Sequence, residues 1–299
     1  MIAIDLGSNT IRAIKYDCGT NTKTDEFERI IKTADKLVKT GGINDEALNR
    51  IISAVEDIKS RFGEDKIKAV ATEALRIANN KDAVLSAIKE KTGIDFNVIT
   101  PQEEAKYTST AVSKCLEKCG YENFNHFFLI DIGGGSTEMS VRLKENFISE
   151  SFRIGIVTLT QKNTTPEGIK SSVKKKSKEF KNFMDFAFNT LRKPKIFVAS
   201  SGTPTTIAAL KLGMNYSTYD GSKVNGTKIT PEDLSYWSDK LMKMEMKKRE
   251  ELVGVGRGDL IISGIYIFQE IFKISKYREC VVCDDGLREG VAIEECEKG

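Results

Sequence analysis

Two short segments hold the residues whose types and spacing could do chemistry on phosphate. Residues 5–10 read Asp5-Leu6-Gly7-Ser8-Asn9-Thr10, and residues 131–138 read Asp131-Ile132-Gly133-Gly134-Gly135-Ser136-Thr137-Glu138. Glycine lets a backbone approach a ligand closely. Successive N–H groups, with the hydroxyl and amide side chains of these turns, can then cradle phosphate oxygens. Three glycines in a row add to the entropy lost on folding, so packing alone does not explain them. Asp5 and Asp131 each end an apolar run. Pointed into one cleft, they would suit a hard divalent cation bridging phosphate oxygens. An ordinary β-turn would explain either segment alone; the pair together favours a phosphate site.

A third glycine signal is Ser200-Ser201-Gly202-Thr203, after the apolar run Ile196–Val198 and before helix signals at 205–210. A strand, a small-residue turn and a helix N-terminus make a ready anion site, though a helix cap explains the same residues equally well. Other phosphate chemistries are excluded by composition. The chain has one histidine, His126, in the apolar run NHFFLID, which reads as a strand-edge imidazole; a His-Asp metal cluster needs more. No cysteine has an arginine six positions on, so a cysteine-phosphatase loop is absent. Carboxylates remain as the catalytic groups.

The elements that must position these residues alternate between strand and helix. Residues 2–9 (IAIDLGSN) and 128–135 (FLIDIGGG) echo one another. Each is an apolar strand ending in aspartate, then a glycine turn, then a second apolar strand (11–16 and 139–143). Two such copies half a chain apart predict two related α/β domains facing across a cleft, 1–118 and 119–286, with a C-terminal helix over 287–299 packing back on the first. Between the copies, Asn44 caps a helix whose Leu48, Ile51, Ile52, Val55, Ile58 and Phe62 share one face, and Gly63 ends it. A strand follows at 67–71, a helix over 82–91, a strand at 96–99, and a helix opened by Pro101.

Length and charge set the remaining bounds. The 299 residues carry 46 basic and 43 acidic side chains, a net charge of +3, so a broad basic face for nucleic acid is not implied. No run approaches the roughly 20 apolar residues of a membrane span, and the start lacks the pattern of a signal peptide, so the expectation is a cytoplasmic protein with no membrane partner. Of six cysteines, Cys115/Cys119 and Cys280/Cys283 have metal-like spacing. The second pair lies in ECVVC, where positions i and i+3 of a strand face opposite ways. Free core thiols in a reducing compartment are therefore preferred to zinc for all six. A lysine-rich helix (Lys170, Lys174, Lys175, Lys176, Lys178, Lys181) could guide a polyanion, but a solvated face is the plainer reading, with Phe180, Phe183, Met184, Ala187 and Phe188 buried.

The glycine segments, in this order, resemble the actin-like ATPase superfamily with its ribonuclease H-like domains. Further blocks narrow the resemblance. Thr72-Glu73-Ala74-Leu75-Arg76-Ile77-Ala78-Asn79 is similar to a T-x-A-x-R-x-A-x-N block, Gln102-Glu103-Glu104-Ala105 to an E-E-A block, and Asp131 to Glu138 matches D-I-G-G-G-S-T-E. Arg153-Ile154-Gly155, Arg257-Gly258-Asp259 and Asp285-Gly286-Leu287-Arg288-Glu289-Gly290 complete a series spanning nearly the whole chain. Together they resemble the exopolyphosphatase / guanosine pentaphosphate phosphohydrolase family. The chain departs from the family after Arg29, where an R-L-G segment is absent, and at Cys283, where serine is common; it also lacks the helical C-terminal extension of longer members.

The resemblance implies magnesium-dependent removal of a terminal phosphate from inorganic polyphosphate, short chains above long ones, with guanosine pentaphosphate as the alternative substrate. A homodimer is common in the family. A small-molecule kinase and a non-catalytic polyphosphate or alarmone sensor are the competing readings. By resemblance Glu104 is the catalytic carboxylate acting on water; the residues alone do not choose between Glu104 and Glu103, since either suits the start of a helix. By family position Glu138 faces the metal or the water, and Asp5, Asp131 and Glu138 are the metal candidates. Arg76 is a phosphate clamp or an ion-pair partner, and Arg153 a weaker clamp candidate. Arg288 is left as structural. The phosphate-binding set is Gly7, Ser8, Asn9, Thr10, Arg76, Gly133, Gly134, Gly135, Ser136, Ser201, Gly202 and Thr203.

Overall fold

The computed structural model describes residues 1–63 and 65–298; Gly299, the last residue of the expected C-terminal helix, lies outside them. The chain forms two compact units. One is Met1–Ala111 together with the segment from Leu287, and the other is Val112–Gly286. The division falls inside the helix Pro101–Lys118.

The first unit holds strands β1 (Ile2–Leu6), β2 (Thr10–Asp17), β3 (Thr22–Ile30), β4 (Ile67–Ala71) and β5 (Phe96–Val98), in sheet order β3-β2-β1-β4-β5. β1, β2 and β3 form an antiparallel meander, while β4 and β5 run parallel to β1. In β1, Ile2, Ala3, Ile4 and Leu6 are wholly buried, as a central strand covered on both faces requires. The expected helix spans Asp45–Phe62. The Asn44 side chain accepts from the Ala47 N–H at 2.8 Å, and Gly63 closes the helix at φ 83°, which glycine adopts without strain.

The second unit holds β6 (His126–Ile132), β7 (Thr137–Leu143), β8 (Asn146–Phe152), β9 (Ile196–Ser200), β10 (Lys228–Ile229) and β11 (Cys280–Cys283), in order β10-β11-β9-β6-β7-β8. β6, β7 and β8 repeat the antiparallel meander, and β9 and β11 run parallel to β6. The echo read in eight residues thus extends to a five-strand topology present twice. The core of this unit is aromatic: Phe128 stacks on Phe197, which meets Phe268 and Phe272 of the buried helix Leu260–Ser275. The lysine-rich helix spans Pro166–Leu191 and buries Phe180, Phe183, Met184 and Ala187.

The helix Leu287–Glu297 belongs to the first unit, where Leu287, Val291, Ala292 and Ile293 share a core cluster with Ala3, Ile14 and Val70. It lies so close to the helix Pro101–Lys118 that a Cβ on Gly290 would stand 1.9 Å from the Tyr107 carbonyl oxygen. The second glycine of the D-G-L-R-E-G block is therefore a packing requirement. Arg288 is buried, donating from Nε to Glu289 at 2.8 Å and from Nη2 to Glu26 at 3.2 Å.

One expectation is corrected. Cys18, in the β2–β3 turn, and Cys296, at the end of the last helix, form a disulfide, so two of the six cysteines are not free thiols. Their separation of 278 residues hides the pairing in sequence; it exists because the last helix returns to the first sheet. Cys115, Cys119, Cys280 and Cys283 are free. Cys280 and Cys283 fall in different core clusters, as residues three apart on a strand must, and burial holds both thiols above the ordinary cysteine range. No group of three or more metal-ligating side chains is preassembled among the described residues.

Candidate active-site residues

Both units present their chemistry-bearing residues at the carboxyl ends of neighbouring parallel strands, where open α/β sheets bind ligands. In the first unit Asp5 is the penultimate residue of β1, Arg76 follows β4, and Glu104 follows β5. In the second, Asp131 stands near the end of β6, Ser201 follows β9, and Asp285-Gly286 follows β11.

The two glycine turns share one geometry. The Gly7 N–H donates to the Thr10 carbonyl at 3.0 Å, and the Gly133 N–H to the Ser136 carbonyl at 2.9 Å. A Cβ at either glycine would meet that carbonyl oxygen, at 3.2 Å and 3.1 Å. The carbonyls behind each turn are used by the following segment. Ser8 and Asn9 accept from Ala34, Ile31 and Lys32; Gly133 and Gly134 accept from Ile156, Val157 and Thr158 at the start of the helix Ile156–Lys162. No described peptide is cis. In a trans peptide the N–H opposes the C=O, so the N–H groups of Asn9 and Thr10, and of Gly134 and Gly135, are turned away from those segments. Runs of amides displayed in this way form anion-binding concavities. Gly155 permits the close approach in the second copy, where a Cβ would lie 2.4 Å from the Gly134 oxygen.

The third segment ties to the second turn. Ser201 has a positive φ of 78° and donates from Oγ to the Ile132 carbonyl at 3.1 Å. In the first unit the Thr72 N–H donates to the corresponding carbonyl, Leu6, at 3.2 Å. Thr203 is placed otherwise: it is buried against Gly264, where an added Cβ would come within 2.0 Å of its Oγ1. Gly202 opens the helix Gly202–Lys211.

The carboxylates divide by unit. Across the β6–β7 ladder Asp131 is directly opposite Glu138, so both side chains rise from one face of the hairpin. Glu138 is buried and accepts from Ser151 Oγ at 2.7 Å. Two like charges at facing positions are unfavourable unless a cation lies nearby, and an all-oxygen donor pair fits a hard divalent ion such as magnesium. At the corresponding position of the first hairpin Asp5 faces Arg12, whose Nε lies 3.0 Å from Glu28. Arg12 went unnoticed in the sequence, although its offset from Asp5 equals that of Glu138 from Asp131 and would have found it.

Glu103 and Glu104, equivalent in sequence, part in the structure. Glu103 is exposed and closes a capping box: its Oε2 accepts from the Thr100 N–H and Oγ1, both at 2.8 Å, which holds its carboxyl below the usual range. The Thr100-x-x-Glu103 spacing is the legible signal for that role. Glu104 turns inward. Arg76 Nη1 reaches its Oε2 at 2.7 Å and the Ile99 carbonyl at 2.9 Å, while Arg76 Nε reaches Glu73 at 3.0 Å. Burial opposes the charged guanidinium, but Glu104 and Glu73 outweigh it and keep its pKa above the ordinary arginine value. Arg76 is thus engaged with two carboxylates, and gripping phosphate as well would fall to its Nη2, which is buried with no hydrogen-bond partner among the described residues. Arg153 is exposed, and His126 opens β6 with Nε2 3.4 Å from the Arg192 carbonyl.

The chain is similar to several known proteins. Exopolyphosphatase 2 of Mycobacterium tuberculosis is 26% identical over 315 residues, covering 97% of both chains. The solved structure of the Aquifex aeolicus Ppx/GppA family member is 30% identical, with a TM-score of 0.73 over 99% of this chain and 97% of that one. An exopolyphosphatase from Cytophaga hutchinsonii, 20% identical over 99% of this chain and 97% of that one, shares the fold with a TM-score of 0.81. The model of the Ppx/GppA phosphatase family matches residues 22–298, and the chain belongs to that family.

Proposed function

We propose that this protein is an exopolyphosphatase that hydrolyses the terminal phosphoric anhydride bond of inorganic polyphosphate, short chains in particular. The observation that carries the reading is the inward carboxylate Glu104, fixed by Arg76 at the carboxyl end of β5, in the same unit as the amide-lined turn Gly7–Thr10. In this reading Glu104 orients the attacking water and takes its proton. The water oxygen bonds to the terminal phosphorus as the bridging P–O bond breaks, and the leaving oxygen remains on the shortened chain. The turn amides hold the phosphoryl oxygens. Asp131 and Glu138 are candidate magnesium ligands of the second unit and Asp5 is a candidate of the first; a bound ion would neutralise charge on the phosphate chain. The Mycobacterium tuberculosis relative, named an exopolyphosphatase and matching end to end, supports the substrate class.

The test is phosphate release from polyphosphates of defined length beside guanosine pentaphosphate, with and without magnesium, for the wild type and Glu104→Gln. Glu104→Gln should slow turnover by about 100-fold or more, the scale of a lost general base, while substrate binding survives. Near-normal turnover would remove Glu104 from the chemistry, and exclusive use of guanosine pentaphosphate would replace polyphosphate as the substrate.

A further inference from the structure

Glu73 lies three residues before Arg76, in the block that carries it. In the structure it opens the short helix Glu73–Ile77 and is only 7% exposed. Its Oε2 lies 3.0 Å from Arg76 Nε, while the far side of the same guanidinium, at Nη1, holds Glu104 at 2.7 Å. The side chains of Glu73, Arg76 and Glu104 are all within 13% exposure. Two buried carboxylates therefore share one guanidinium. This is a costly arrangement, because each carboxylate loses its hydration and the second adds an anion that the single cation does not neutralise. A site built for stability alone would need one carboxylate there. Glu104 and the Ile99 carbonyl both hold the guanidinium at one nitrogen, Nη1, about which it can still rotate; an anchor at Nε, on the other side, stops that rotation. The five-residue helix beneath has no side-chain cap and is too short to fix the side chain by itself.

We infer that Glu73 is a positioning residue for hydrolysis: it locks the Arg76 guanidinium, and through it sets where the Glu104 carboxylate meets the attacking water. This rests on the reading of Glu104 as the catalytic carboxylate. The role depends on reach and not on charge. Glutamine keeps an acceptor oxygen at the same distance from Nε, whereas aspartate keeps the charge but is one methylene short.

The experiment compares Glu73→Ala, Glu73→Asp and Glu73→Gln with Glu104→Gln and the wild type, measuring kcat and KM for tripolyphosphate at saturating magnesium, with circular dichroism to establish folding. Glu73→Ala and Glu73→Asp should lose roughly 10- to 100-fold in kcat, the scale of a catalytic group displaced by about an ångström, with KM little changed. Glu73→Gln should retain most of the wild-type kcat. If Glu73→Ala does not fold, the Asp and Gln variants decide the matter, and equal kcat values for those two overturn the inference. It is also overturned if Glu104→Gln is inactive while Glu73→Ala keeps its kcat, or if KM alone rises, which would place Glu73 in substrate binding. Normal turnover by Glu104→Gln overturns the parent reading and the inference together.

Discussion

Replacing Arg76 by methionine tests the charge arrangement around Glu104 directly. Methionine fills much of the same volume but has no donor. It removes the contacts to Glu73, Glu104 and the Ile99 carbonyl, and leaves two carboxylates of about one-tenth exposure facing a lost cation. Breaking a buried pair by removing one partner costs about 3–5 kcal/mol, and the low exposure of all three side chains leaves little screening to reduce it. Guanidinium chloride unfolding measures the deficit, and phosphate release measures turnover. A deficit below about 1 kcal/mol, the value of an exposed pair, would refute the claim that the three side chains form one buried charge system.

Other outcomes follow from the geometry. Asp131→Asn should raise the magnesium concentration needed for half-maximal activity while leaving the stability of the metal-free protein little changed; an unchanged magnesium requirement would remove Asp131 from the metal set. Gly290→Ala drives a methyl group into the Tyr107 carbonyl, three residues from Glu104, and should destabilise by about 1–3 kcal/mol and slow turnover; wild-type values for both would contradict the close packing. Thiol titration in denaturant should count four thiols before reduction and six after, and reduction should lower the melting temperature, since closing a loop of this size is worth at most about 5 kcal/mol; six thiols before reduction would exclude the disulfide. Asn44→Ala should cost about 1 kcal/mol through the lost cap of the helix Asp45–Phe62, measured by thermal unfolding, and no change would mean that the cap is replaced by water.

The sequence by itself determined the local parts. The paired strand-Asp-glycine turns, the capped helix after Asn44 and the buried β11 were legible because each depends on neighbours along the chain: a period of two or of 3.6, a glycine where a Cβ would clash, a cap three residues from its N–H. The third strand of each meander was not. In β3 only Phe27 is buried, and such a polar edge strand carries no apolar alternation to read. The division of labour between Glu103 and Glu104 lay half in the sequence, in the capping box, and half in the fold, since only the approach of β4 to β5 brings Arg76 to Glu104. The burial of Thr203 under Gly264 and the disulfide joining Cys18 to Cys296 were decided by tertiary structure alone. Each is a contact between groups whose distance along the chain or whose direction is set by strand register and helix packing, and no periodicity in a single sequence records which side chains those will bring together.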